Sequence, residues 1–263
     1  MPRRFWAEFR ASEFKSIDAE RTIAILPTAA VEQHGPHLPL GTDSMIAEGM
    51  LKEMLSHLPA PMDIRILPVQ SVGKSNEHLW AVGTLTLSAA TALQAWTEIG
   101  TSVARAGVRK IVVVNSHGGN LDLVSILCRE LRVKAGMFAV KCQWGSFGHP
   151  PGMYSERERA IGIHGGDVET SLMLHFRPKL VDMALAQDFP STAESDAIPP
   201  TGGISYGWIA RDLGASGVAG NASAATAAKG KATARHQALG FIDLLRQVEA
   251  TSLSRFAKAD KPD

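Results

Sequence analysis

An α/β fold, with a mainly parallel sheet covered by helices, follows from three observations on the chain. Short runs rich in Ile and Val alternate with longer amphipathic stretches. The short runs are continuously apolar, as strands buried on both faces are. Residues able to bind metal or carry protons follow directly on two of those runs, where open α/β sheets place their sites.

Taken in order, residues 22–26 (Thr-Ile-Ala-Ile-Leu) read as the first strand, and 43–57 as a helix with Asp43 at its N-cap. A strand at 64–69 and a helix at 88–106, opened by Ser88, come next. A strand at 110–115, a helix at 120–135 capped by Asn120 and a strand at 137–142 complete the alternation. Strand–helix–strand units of this kind pack as a parallel sheet with helices over it. Residues 145–154 hold Pro150-Pro151 and three glycines, too long for a minimal connection, and read as a lid or pocket wall. A helix at 167–175 is closed by Pro178, and 187–220, rich in Ser, Pro, Gly and Ala, reads as extended loop. Leu239, Ile242, Leu245 and Val248 fall at helical spacing in a last helix over 237–248. The final dozen residues are expected to fray. There is no repeat and no linker, so residues 1–263 read as one domain.

Composition excludes several function classes. Lys+Arg 27 against Asp+Glu 26 leaves a net charge of +1, which supplies no field for nucleic acid or an anionic membrane. The stretch from Met1 to Arg10 has no apolar signal region and no segment approaches a membrane span, so a cytoplasmic location is expected. Cys128 and Cys142 fall on a helix and a strand and read as free buried thiols. Asn221-Ala222-Ser223 matches a glycosylation sequon, without consequence in that compartment.

The chemistry-bearing residues form three clusters. The first is Glu32-Gln33-His34-Gly35-Pro36-His37-Leu38-Pro39-Leu40-Gly41-Thr42-Asp43, a loop shaped by two prolines and two glycines before Asp43. Glu32 and His34, two apart in extended chain, project to the same side. Two carboxylates and an imidazole suit a divalent cation of the zinc, manganese or iron type. His37, between prolines, is read as hydrogen-bonded support for the ligands. The second cluster, Asn115-Ser116-His117-Gly118-Gly119-Asn120, fits either a metal-ligating His117 or a glycine-rich turn whose histidine or Asn120 caps the next helix. The third, His164-Gly165-Gly166-Asp167-Val168-Glu169, fits either helix capping by Asp167 with dipole support from Glu169, or a ligand (Glu169) and a proton shuttle (His164). Ser75 and His78, ahead of Gly83-Thr84, together with Gly118 and Trp144, are expected to flank the substrate. Asn120 is expected to support the ligands from behind.

Together the three clusters resemble the creatininase (creatinine amidohydrolase) family. Gly217-Val218-Ala219-Gly220-Asn221 and Ala225 to Gly230 look like its closing motif, so the likeness spans about residues 20–245. The resemblance implies a single-domain, three-layer α/β/α sandwich, two divalent metal ions per subunit, hydrolysis of C–N bonds other than ordinary peptide bonds, and a homo-oligomer such as a hexamer. Carried over by position, Glu32 and His34 each hold one ion, Asp43 bridges them, His117 is the next ligand and His164 transfers the proton. The last carboxylate ligand of creatininase, two residues after that histidine, falls at Gly119 here, and Glu169 is the candidate replacement, as ligand and as catalytic group.

The departures concern the substrate. Gly118 stands for a tyrosine of creatininase, Ala160 and Ile161 for a tryptophan and an aspartate, and Ala81-Val82 for a Phe-Pro pair. The expected activity is therefore metal-assisted hydrolysis of a non-standard amide, lactam or related bond in a small molecule, without creatinine specificity. The alternatives are a deformylase or specialised peptidase of a biosynthetic intermediate, and a metal-stabilised binding protein without turnover.

Overall fold

The computed structural model of the chain describes residues 3–257. Four parallel strands form the main sheet, in the order β2 (Ile64–Ile66), β1 (Ile23–Thr28), β3 (Lys110–Asn115) and β4 (Phe138–Gln143). β1 and β3 pair along their whole length, from Ile23 opposite Lys110 to Thr28 opposite Asn115. Every residue of both strands is buried, and residues 23–26 and 111–114 are accordingly all apolar.

Period-two alternation divides these strands between two hydrophobic layers. Ile23, Ile25, Val112 and Val114 face one layer, built with α1 (Thr42–His57), α5 (Asp167–Phe176) and α7 (Ala227–Ala250). Ala24, Leu26, Ile111 and Val113 face the other, with Trp96 and Val103 of α2 (Ala89–Arg105) and Leu127 and Leu131 of α3 (Leu121–Ala135). Helices on both faces make the three-layer sandwich expected from the sequence. Burying an Ile or Leu in such a core contributes about 1.5–3 kcal/mol.

Ser88 caps α2, accepting from the backbone N–H of Thr91, as expected. Asp43 and Asn120 do not cap. Gly41 holds the N-cap position of α1, and Asp43 lies one residue inside the helix with its carboxylate turned away from the helix backbone. Asn120 stands at the N-cap of α3 without bonding its helix, because its amide is engaged elsewhere. Strand β2 stops at Ile66, short of Val69, since Pro68 follows.

Two stretches are more structured than their composition suggests. The region 187–220 contains β5 (Asp188–Phe189), paired antiparallel with β6 (Gly220–Asn221), and the short helix α6 (Ala210–Leu213). The last helix is twice as long as its apolar spacing implied, running from Ala227. The loop after β4 packs on α7: Trp144–Phe147 forms a 3₁₀ turn, Gln237 donates to the Gly148 carbonyl, and a short helix α4 (Glu156–Ile161) follows. Near the end of the described residues, Phe256 stacks on Phe138 at 5.0 Å, so the start of the expected frayed dozen is anchored by this ring; its last six residues lie outside the described residues.

Candidate metal centre

The three clusters meet at the carboxyl ends of β1 and β3. Beneath them Thr28 Oγ1 donates to Asn115 Oδ1 at 2.9 Å, tying the two strand ends. Glu32, His34, Asp43 and His117 are all at most 5% exposed. Glu169 extends from the first turn of α5, with a quarter of its side chain exposed.

Two lobes share Asp43. In one, His117 Nδ1 faces Glu32 Oε1 at 3.3 Å and Asp43 Oδ2 at 3.2 Å. In the other, His34 Nε2 faces Asp43 Oδ1 at 3.3 Å and Glu169 Oε2 at 3.9 Å. Glu32, His34 and His164 also bring ligand atoms within 4.8 Å of one another, as do Glu32, Glu77 and His117.

The tautomers follow from the outer bonds. His34 Nδ1 lies 3.1 Å from the Glu32 carbonyl, so it donates there and the neutral ring presents its Nε2 lone pair to the centre. His117 Nε2 donates to the Lys74 carbonyl at 2.9 Å, so the neutral ring presents its Nδ1 lone pair to the centre. Glu32 Oε1, His34 Nε2 and Asp43 Oδ2 are buried without a hydrogen-bond partner. Such groups are costly alone, about 1–3 kcal/mol each and more when charged. A donor set of carboxylate oxygens and imidazole nitrogens, each with an unused lone pair, fits divalent cations.

The electrostatics agree. Burial alone would lower the pKa of His34, but Asp43 beside it more than offsets this and holds it at about 10. His117 is likewise raised well above the usual imidazole range, burial being outweighed by Glu32 and Asp43. Burial would raise Asp43, yet the two histidines hold it well below the usual carboxylate range. Without cations, protons on His34 and His117 supply the positive charge that these carboxylates require.

His164, 7% exposed, sits over this centre, its ring 4.2 Å from that of His34 and 4.5 Å from that of His78. Its Nε2 donates to the Gln33 carbonyl at 2.6 Å, and Nδ1 points to Glu32 Oε1 at 3.6 Å. Burial, then the charge on His34, lower its pKa. Glu169 Oε2 accepts from the Gly165 backbone N–H at 2.6 Å, which ties the His164 loop to α5.

His37 and Asn120 stand behind the ligand loops. His37 Nε2 bonds Thr170 Oγ1 of α5 at 2.9 Å. Asn120 accepts from Lys74 N at 3.0 Å and donates to Ala29 O at 3.1 Å, which clamps the loop after β2 against the end of β1.

Of the residues expected to flank the substrate, Gly118 is exposed, with nothing within 4 Å of a Cβ built there. His78 lies in the site but its nitrogens are engaged, Nδ1 with the Gln33 amide at 2.9 Å and Nε2 facing Glu32 at 3.5 Å. Two expectations need correction. Ser75 is fully buried and donates to Glu32 Oε2, so its hydroxyl orients a carboxylate. Trp144 turns into the core, edge-on to Phe241 at 4.9 Å, because the start of the 3₁₀ turn folds it under α7.

Glu77 and Gln33 were missed. Glu77, 7% exposed, brings Oε1 to 3.5 Å from His117 Nε2, and Gln33 bonds His78 and Gly217. Burial would raise the Glu77 pKa, but His117 and Lys74 more than offset it, to about 2. The only sequence signal for Glu77 was its place directly before His78.

Residues 7–245 match the family model described as Creatininase: Creatinine amidohydrolase. The chain is similar to the mycofactocin precursor peptide peptidase of Mycolicibacterium smegmatis, 28% identical over 229 residues that cover 86% of this chain and 85% of that protein. It is also similar to the creatinine amidohydrolase of Pseudomonas putida, 29% identical over 201 residues, 70% of this chain and 74% of the other. Among solved structures it resembles a manganese creatininase, with a TM-score of 0.73 at 25% identity over 94% of this chain and 99% of that one.

Proposed function

The chain belongs to the creatininase (creatinine amidohydrolase) family, and from that premise we propose that it is a dinuclear metal-dependent hydrolase of a non-standard amide or related C–N bond. The observation that carries this reading is the set of buried, unpartnered ligand atoms Glu32 Oε1, His34 Nε2 and Asp43 Oδ2. Glu32, Asp43 and His117 would hold one ion, and His34, Asp43 and Glu169 the other, with zinc, manganese or iron suited to the donors. Bound there, two such ions would make water nucleophilic near neutral pH and polarise a carbonyl.

The chain's own groups do the rest. Asp43 fixes the spacing of the two lobes by offering one oxygen to each. His164, with Nε2 committed to the Gln33 carbonyl, has Nδ1 to take a proton from the attacking water and return it to the leaving nitrogen. Gln33 holds His78 and Gly217 about that ring and keeps its Nε2 side closed. Gly118 leaves an open approach at the rim.

Two substrate readings follow. A small amide or lactam fits the buried centre, and creatinine itself is disfavoured because Gly118, Ala160 and Ile161 supply no aromatic or acidic wall. The second reading, a peptidase acting on a short peptide intermediate, is supported by the Mycolicibacterium relative and by the open rim at Gly118. Assembly into a homo-oligomer belongs to the same proposal, since Leu79, Val82 and Leu85 expose 64%, 99% and 53% of their surface within one seven-residue stretch. A cytoplasmic location is likewise proposed; no helix among the described residues is long and apolar enough to cross a membrane.

The test is metal analysis of the purified protein, followed by a screen over lactams, cyclic ureas, formamides and short peptides before and after chelation. Bound divalent metal and chelator-sensitive hydrolysis are expected. Hydrolysis undiminished in the metal-free protein would sink the reading. Turnover of peptides but not lactams would select the second substrate class.

A further inference from the structure

Glu77 and His117 are brought together by a turn that no ligand motif marks. Asn76–His78 forms a single 3₁₀ turn in the connection after β2. From it Glu77 Oε1 comes to 3.5 Å from His117 Nε2, while Oε2 accepts from Lys74 Nζ at 2.7 Å. The Lys74 carbonyl lies 2.9 Å from the same ring nitrogen. One short segment thus supplies the carbonyl that accepts from this N–H and a carboxylate beside it.

This approach depends on residue 119. A Cβ on Gly119 would stand 2.0 Å from Glu77 Oε1, 2.5 Å from His117 Nε2 and 2.6 Å from the Lys74 carbonyl. Any side chain there would push the turn off the ring. Glycine at 119 is the clearance that lets Glu77 in.

We propose that Glu77 is a positioning residue for His117, reinforcing the Nε2–H tautomer that the Lys74 carbonyl sets and fixing the ring rotation so that Nδ1 is presented to a cation beside Glu32 and Asp43. The proposal rests on the reading of His117 as a metal ligand. A neutral imidazole can carry its proton on either nitrogen, and a proton on Nδ1 would block that atom. A carboxylate behind Nε2 opposes this and makes the Nδ1 lone pair a better donor. Lys74 neutralises the carboxylate on its far side, so the effect is confined to the ring.

A purely structural role for Glu77 is separable, because the turn has other anchors. Asn120 Oδ1 holds Lys74 N at 3.0 Å and Thr86 Oγ1 holds Ser75 N at 2.8 Å, neither through Glu77. Variants at 77 should therefore keep the local backbone.

The experiment titrates metal-free protein with Co²⁺ and follows its visible absorption in wild type, Glu77→Ala, Glu77→Gln and Gly119→Ala. Glu77→Ala is expected to weaken one of two cobalt equivalents by about 10- to 100-fold and to change its spectrum. Gly119→Ala keeps the carboxylate but displaces it, together with the His117 ring and the Lys74 carbonyl, and is expected to show at least the same loss. Glu77→Gln retains an acceptor oxygen and should recover most of the affinity. Wild-type cobalt affinity and spectrum in both Glu77→Ala and Gly119→Ala would overturn the positioning role while leaving His117 a ligand. Wild-type protein that takes up no cobalt would overturn the ligand reading itself.

Discussion

Asp43 Oδ2 lies 3.2 Å from His117 Nδ1, across the carboxyl end of the sheet, and the other oxygen of the same carboxylate faces His34. A residue one position inside α1 therefore joins the segments that follow β1 and β3.

Asp43→Ala should consequently abolish both metal sites together and all hydrolysis. Metal content by elemental analysis checks this. Full occupancy in the variant would remove the bridging role from Asp43.

His164→Ala separates chemistry from metal binding. Its Nδ1 faces the centre, but the two lobes are complete without it. Metal content should hold while turnover falls by about 10²–10⁴-fold. Unchanged turnover would assign proton transfer to another group.

The first and third strands were legible because burial on both faces writes itself as a short continuous apolar run, Ile-Ala-Ile-Leu in one and Ile-Val-Val-Val in the other. The loop from Glu32 to Asp43 was legible for a different reason: ligand-capable residues were dense on a constrained backbone. Glu77 was not, since its partner His117 lies beyond α2 and β3 and only the folded sheet brings them together. Trp144 was misjudged because position after a strand does not say which way the next turn rolls. The short elements in 187–220 escaped notice because two-residue strands and a four-residue helix carry no periodicity.

Loading metal should release protons. His34 in the metal-free protein is held at about 10, above the ordinary imidazole value of 6.5. A raised pKa stabilises the fold fully below 6.5, and that contribution is lost as pH rises through about 10. The metal-free protein should thus lose thermal stability between those limits, while metal affinity rises over the same window because the proton competes with the ion. Zinc titrations at pH 8 in buffers of different ionisation heat should report net proton release from His34 and His117. Zero release would contradict protonated histidines in the empty site.

Both thiols should be inert in the native protein. Burial pushes Cys128 and Cys142 up to about 12. A disulfide reagent at pH 8 should label neither until denaturant is added, and then both. Fast labelling of the native protein would mean that α3 and β4 open readily.

Glu158 makes the last case, because it supports the third cluster from a distance. It is 4% exposed; Oε1 accepts from the Asp167 backbone N–H at 2.7 Å and Oε2 from that of Asn221 at 2.8 Å. One side chain of α4 therefore pins the first turn of α5, which carries Glu169, to the start of the segment after Ala219. Ala219 in turn bridges to His164 through the backbone. A Cβ on Gly166 would come within 2.3 Å of the carboxylate, so the surrounding backbone is fitted to it. Glu158→Ala leaves two N–H groups without a partner, at a cost of about 1–3 kcal/mol each. Glu158→Gln can accept one of them but turns its own N–H₂ toward the other, so it should also destabilise, by less. Because Glu169 and His164 move with these elements, the alanine variant should lose metal affinity as well as thermal stability. Arg159→Ala, on the exposed side of the same helix, should change neither. A wild-type melting temperature in Glu158→Ala would show that water satisfies both backbone groups and that the clamp is dispensable.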